Sequence, residues 1–246
     1  MNEVQRLMSA HLSRRTALTG AGAGLASATL AQAGLLQALA AQSESVQEIL
    51  NITATVERFG VTFLGAGIQA AEQKRFNKDV PAPVLAVLKA ARAQEQFHLE
   101  FFERAGGRPF VRTFTVPPAA LTDYDTFFGA VVEQETAEVA AQLAAIRIYT
   151  ALRRPDLVKV AFQYAAEESE HRVLANYALG ARPANDHAFA PMLFTTVGDI
   201  VTSLKQRGLI GGAGIAVTYP GPGMIDASHV TNRTPNGPSA TCAPTR

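Results

Sequence analysis

Residues 93–107, AQEQFHLEFFERAGG, and residues 167–180, EESEHRVLANYALG, each carry a glutamate three residues before a histidine. The pairs are Glu95 with His98 and Glu168 with His171. On a helix this spacing points carboxylate and imidazole from the same face. With 14 Glu and 5 His in 246 residues, chance yields roughly 0.3 such pairs, so one would mean little. Two pairs gain meaning from their positions, and the helices around them fix those positions.

The first stretch closes a helix running from Pro83 to Ala105, stopped by Gly106-Gly107, glycine being the residue that ends helices in the left-handed conformation. The second closes a helix running from Pro155 to Gly180, with proline suited to a first turn. Upstream, Ser43 to about Phe76 reads as one long helix. Ser45 and Glu48 form a capping-box pattern, and Leu50, Ala54, Glu57, Val61, Leu64 and Ile68 follow one face. Gly60, Gly65 and Gly67 weaken that helix by roughly 1 kcal/mol each relative to Ala, so close packing is expected to compensate. A further helix is capped near Thr122 and runs to about Leu152. A shorter fifth one spans Thr195 to Arg207, ended by Gly208. From Gly211 onward the chain is rich in Gly, Pro, Thr and Asn and reads as an irregular tail.

Connector lengths set the expected topology. Short links between the first and second helices, and between the third and fourth, favour antiparallel neighbours. The 13 residues from Arg108 to Ala120 reach about 43 Å when extended, more than the roughly 35 Å length of the second helix. The expectation is an all-α fold over residues 43–180: a four-helix bundle with one long crossover, followed by a C-terminal helix and tail over 181–246.

Composition agrees and excludes some alternatives. The chain is 48% hydrophobic, with no Trp, enough for one sizeable core. A formal charge of +1 leaves no basic footprint for nucleic acid. The single cysteine, Cys242, cannot form an internal disulfide. Residues 1–40 read as a targeting segment. Ser13-Arg14-Arg15-Thr16-Ala17-Leu18 resembles the bacterial twin-arginine export motif, with Ala17 and Thr19 departing from its usual Phe and Lys. An uncharged run follows to Gln42, with small-residue cleavage patterns ending at Ala33 and at Ala40. The expectation is an exported, extracytoplasmic or periplasmic protein that meets the twin-arginine translocation machinery.

Within this frame Glu57, Glu95, Glu135 and Glu168 fall 12 to 14 residues from the starts of their helices, about 20 Å along each. Mid-helix residues share a level whichever way the helices run, so the four glutamates can meet. Glu57, Glu95, His98, Glu135, Glu168 and His171 are therefore the candidate metal ligands. Glu133 falls on a more exposed face, whereas Glu138 reads equally as an extra ligand, a supporting group or a solvated residue. Glu167 also precedes His171, at four residues, but Glu168 repeats the three-residue spacing. Tyr164, one turn before Glu168, reads as an ordinary core tyrosine in preference to one that approaches the site. His11, His187 and His229 lie outside the four helices.

Four ionised glutamates in one core need counter-charge. Two divalent cations supply it, each also taking one imidazole. Oxygen-rich sets of this kind suit iron or manganese better than structural zinc, which favours thiolates.

These residues, with LNITATVERFGVTF (50–63) and LIGGAGIAVTYPGPG (209–223), resemble bacterial ferritin-like domain proteins, the latter stretch being similar to tails of exported members. The resemblance implies a four-helix bundle, six ligands at the positions named above and a dinuclear iron centre, with manganese as the other metal. The expected function is a metalloprotein acting on dioxygen, peroxide or ferrous ions. The alternative is a non-enzymatic periplasmic binding or stress-protection module on the same scaffold.

Overall fold

A computed structural model describes residues 44–186, 189–228 and 230–231. The export segment, His11, His187, His229 and Cys242 lie outside the described residues. Among those described, the fold is mainly helical: α1 (Val46–Glu72), α2 (Ala82–Arg104), α3 (Tyr124–Ala151), α4 (Pro155–Ala178) and α5 (Gly198–Gln206). None is long and apolar enough to cross a membrane.

Local chemistry accounts for the helix starts. Ser45 caps α1 in a complete capping box with Glu48, satisfying backbone groups at both residues. Prolines open α2 and α4. The cap of α3 is Asp123, not Thr122: its carboxylate accepts from the Thr126 N–H at 2.7 Å. Asp is the stronger capping residue of the two, and it stands next to the first turn. α5 starts three residues later than its sequence suggests, because Asp199 turns back to accept from the Thr195 and Thr196 N–H groups.

Pairwise contacts give the helix directions. From α1 to α2 and its C-terminal end, Gln47 meets Gly106, Arg58 meets Glu103 and Glu72 meets Lys89, so the two are antiparallel. α3 and α4 are antiparallel as well: the Tyr124 hydroxyl donates to the Ala178 carbonyl, and Glu135 faces His171. Between α2 and α4, Gln94 meets His171 and Phe102 meets Tyr164, again in opposite order. α1 joins α3 through an aromatic block in which Phe63 lies 5.2 Å from Phe127, and Phe127 lies 5.0 Å from Phe128.

The helical glycines are used for close approach. A Cβ at Gly67 would enter the Phe127 ring, and one at Gly60 would collide with the Glu95 carboxylate. The packing thus fills the space that each missing side chain leaves.

The all-α expectation needs correction. The connector and the tail contribute β1 (Thr113–Val116) and β2 (Ile215–Thr218), an antiparallel pair with Phe114 opposite Val217. Phe114 and Val116 are fully buried. Gly214 sits at φ +153, where a Cβ would strike the Val116 carbonyl. The alternation in TFTV is a strand signal, but its partner is about a hundred residues away and no local pattern names it. The tail beyond Gly211 is therefore not wholly irregular. Tyr219, at the end of β2, donates its hydroxyl to Gln96 Oε1 at 2.8 Å, tying the tail to α2 beside Glu95.

Candidate metal centre

Glu57, Glu95, Glu135 and Glu168 each lie within three residues of the midpoint of α1, α2, α3 and α4. All four are at most 3% exposed, and His98 and His171 at most 5%. The helices bring these six side chains into two overlapping quartets. Glu57, Glu95, His98 and Glu168 form one, and Glu95, Glu135, Glu168 and His171 the other. Within each, one nitrogen or oxygen atom per residue lies within 4.8 Å of the rest. Glu95 and Glu168 are shared. Each quartet thus has three carboxylates and one imidazole.

The histidines flank Glu168, one at each oxygen. His98 Nδ1 is 3.1 Å from Oε1, and His171 Nδ1 is 3.0 Å from Oε2. His98 Nδ1 is also 3.2 Å from Glu57, and His171 Nδ1 is 3.0 Å from Glu95 and 3.8 Å from Glu135. Both Nδ1 atoms face inward. Both Nε2 atoms face outward to polar partners, which sets the ring orientation.

Electrostatics in the metal-free protein follow from crowding and burial. Burial pushes Glu57 and Glu138 well above the usual carboxylate range, raises Glu95, and lifts Glu135 to about 8. Burial alone would also raise Glu168, but the two flanking imidazoles outweigh it and hold Glu168 below its ordinary value. Burial disfavours charge on both histidines, yet the surrounding carboxylates prevail and raise both. These directions favour bound protons, which offset crowded negative charge as a cation would.

The donor set fits a cation on a geometric test. Both oxygens of Glu95 and of Glu168, one oxygen of Glu135 and His171 Nδ1 are buried without an aligned hydrogen-bond partner. The histidines stand at ion-pair distance, and one atom from each residue of a quartet lies within 4.8 Å of the others. Unpaired buried polar atoms of this number are rare without a ligand. Oxygen-dominated sets with single imidazoles suit iron or manganese.

Several residues at the site escape a spacing argument. Glu138 is 2% exposed, with Oε1 accepting from Gln134 Nε2 at 2.9 Å and Oε2 unpartnered. Of its three sequence readings, the solvated one is excluded. Gln134 in turn accepts from Arg207, which pairs with Glu133 at 3.0 Å; Glu133 itself is exposed, as its face suggests. Glu167 does not serve His171, its neighbour in sequence. It meets His98 on the adjacent helix, accepting from Nε2–H at 2.7 Å. The corresponding partner of His171 Nε2 is Gln94 Oε1, at 3.1 Å. One signal for these two was readable: each sits immediately before the glutamate of a motif. Tyr164 is both a core residue and a neighbour of the site. Its ring centre lies 4.2 Å from that of His98, and its hydroxyl is buried without a partner.

Comparison of the chain with protein-family models, with curated proteins and with solved structures finds no match in any of the three.

Proposed function

We propose that this chain is an exported ferritin-like metalloprotein whose α1–α4 form a four-helix bundle, with one long crossover, around a dinuclear carboxylate centre. The ligands are Glu57, Glu95, His98, Glu135, Glu168 and His171. The observation that carries this reading is the pair of overlapping quartets sharing Glu95 and Glu168. A single mononuclear site would not need two equivalent sets with two common carboxylates. The antiparallel contacts, with α2 and α3 consequently running the same way, support the crossover arrangement.

When bound, two iron ions, or two manganese ions, would supply redox chemistry toward dioxygen, peroxide or ferrous iron. The protein's own contribution is positional. Glu95 and Glu168 lie where both ions can be held, while Glu57 and Glu135 each serve one side. His98 and His171 present Nδ1 inward because Nε2 is engaged outside. Tyr164 and the apolar residues around the cluster exclude water, which strengthens the ionic contacts within. Beside Glu57 and Glu138, a cavity of about 10 Å³ is walled by Val56, Ala141, Val197 and Ile200. Its size suits one water molecule or a very small reactant.

The arginine pair Arg14-Arg15 supports export after folding, which would let the protein take iron before meeting tighter-binding copper and zinc. The test of the activity is elemental analysis of purified protein coupled to oxygen consumption on adding ferrous ions. Two iron ions per chain and oxygen uptake above the rate in buffer support the reading. Bound metal with no reaction toward dioxygen or peroxide would move it to a binding or protective role. For export, changing Arg14 and Arg15 to Lys should retain the precursor in the cytoplasm; normal export of that variant removes the targeting argument.

A further inference from the structure

The two quartets match in donor type, but their histidines differ in what holds them from outside. Each contains three carboxylates and one imidazole, and two of the carboxylates are common to both. Each histidine is held from behind by the residue that precedes the motif glutamate of the other helix. Glu167 of α4 holds His98 of α2, and Gln94 of α2 holds His171 of α4. The exchange is reciprocal, but its chemistry is not. His98 donates to a carboxylate at 2.7 Å, whereas His171 donates to a neutral amide oxygen at 3.1 Å.

An imidazole whose outer N–H donates to a carboxylate is a more basic ligand at its inner nitrogen than one donating to an amide. The stronger, shorter hydrogen bond also fixes the ring more firmly. Glu167 reaches the ring from the solvent side, its side chain being 30% exposed while the histidine is 6% exposed. Resting on the dinuclear reading above, we infer that Glu167 and Gln94 are positioning residues that make the two metal positions unequal. The position served by His98 binds its ion more tightly and fills first. The position served by His171 is the weaker and more readily vacated one. In a centre where one ion must be held and the other exchanged or loaded later, this asymmetry sets the order.

The test isolates each position. Glu135 belongs only to the His171 quartet and Glu57 only to the His98 quartet. Glu135→Ala therefore keeps the His98 position, and Glu57→Ala keeps the His171 position. Cobalt(II) is titrated into each variant, freed of metal and kept at one pH, and followed by its visible absorption. Glu135→Ala is expected to bind one ion at least about tenfold more tightly than Glu57→Ala, the lower end of what outer partners of a ligating histidine contribute. Adding Glu167→Gln to Glu135→Ala should erase that gap, and adding Gln94→Glu to Glu57→Ala should narrow it from the other side. In the chain with all six ligands, Gln94→Glu should raise only the weaker step of a two-step titration. That variant deletes no ligand, so it reports even where a ligand-deleted variant does not fold. Glu167→Gln having no effect, or weakening both positions alike, overturns the inference while leaving a dinuclear site intact. A wild-type chain that does not take up two cobalt ions overturns both this inference and the reading beneath it.

Discussion

Two adjacent levels of the same helices are built on opposite principles. At one, Phe63 of α1, stacked on Phe59, meets Phe127 of α3, which packs on Phe128, with successive ring centres 5.0 to 5.5 Å apart. At the other, starting only two residues earlier on α1 at Glu57, the interior holds five buried glutamates and two buried histidines. The aromatic level is complete as it stands, because apolar rings need nothing but each other. The carboxylate level leaves buried oxygens without donors, and burial lifts Glu135 to about 8. One level holds the helices together; the other could hold a cation. A residue's contribution should therefore depend on metal at the second level and not at the first.

The largest effect on stability is expected at the aromatic level. Phe127 is fully buried and fills the space left by Gly67. Phe127→Ala should cost roughly 3–5 kcal/mol. Denaturant melts should show the same loss with and without metal; a loss that appears only in the loaded protein would break the separation of levels.

At the carboxylate level the effect should appear only with metal present. Ions that bind the folded chain alone stabilise it by about 4 kcal/mol at a thousandfold excess over Kd. Glu95→Ala removes a ligand shared by both quartets and should abolish most of that gain. Glu57→Ala should leave part of it, since one quartet survives. Thermal melts of the three proteins, with manganese(II) and with chelator, make the comparison. An equal loss from Glu57→Ala and Glu95→Ala would mean the two carboxylates are not differently shared.

How much of this was legible in the sequence varies with the range of the interaction. The helices and the six-residue constellation follow from local spacing, capping and mid-helix position, all of which repeat along the chain. Residues 113–116 pair with residues 215–218 across a separation that no local pattern encodes. Glu167 is the sharpest case. Its four-residue spacing to His171 suggests a partner on its own helix, yet it serves His98 on α2. The packing of α2 against α4, where Phe102 also meets Tyr164, brings the two together. Glu138 was ambiguous for the same reason: only the neighbouring helices make it buried.

The pH dependence should pull the two states apart. Without metal, the folded protein holds Glu135 up to about 8 and Glu57, Glu95, His98 and His171 above their ordinary values. Groups raised by folding contribute stability below their unfolded values and lose it as pH rises through the folded ones. Glu168, held low, acts the other way, but only as pH falls below the ordinary 4.5. Between pH 5.5 and 8, then, the Tm in chelator should fall, while the gain in Tm from added manganese should grow as ions displace protons. A chelator-treated Tm that rises over this window would contradict the assignment. The smallest effect is expected at Glu133. Its exposed carboxylate pairs with the partly buried Arg207, and surface pairs contribute about 0–1 kcal/mol. Glu133→Ala should melt within that range of wild type in both states.

Metal stoichiometry tests the central claim most directly. Purified chain is stripped with chelator, reloaded with iron(II) under anaerobic conditions, desalted and assayed for bound metal per chain. The account predicts two ions in wild type and in Glu133→Ala, and a sharp loss in both Glu95→Ala and Glu168→Ala, because each removes a ligand common to both positions. Two ions retained by Glu95→Ala and Glu168→Ala, or metal lost from Glu133→Ala alone, would contradict it.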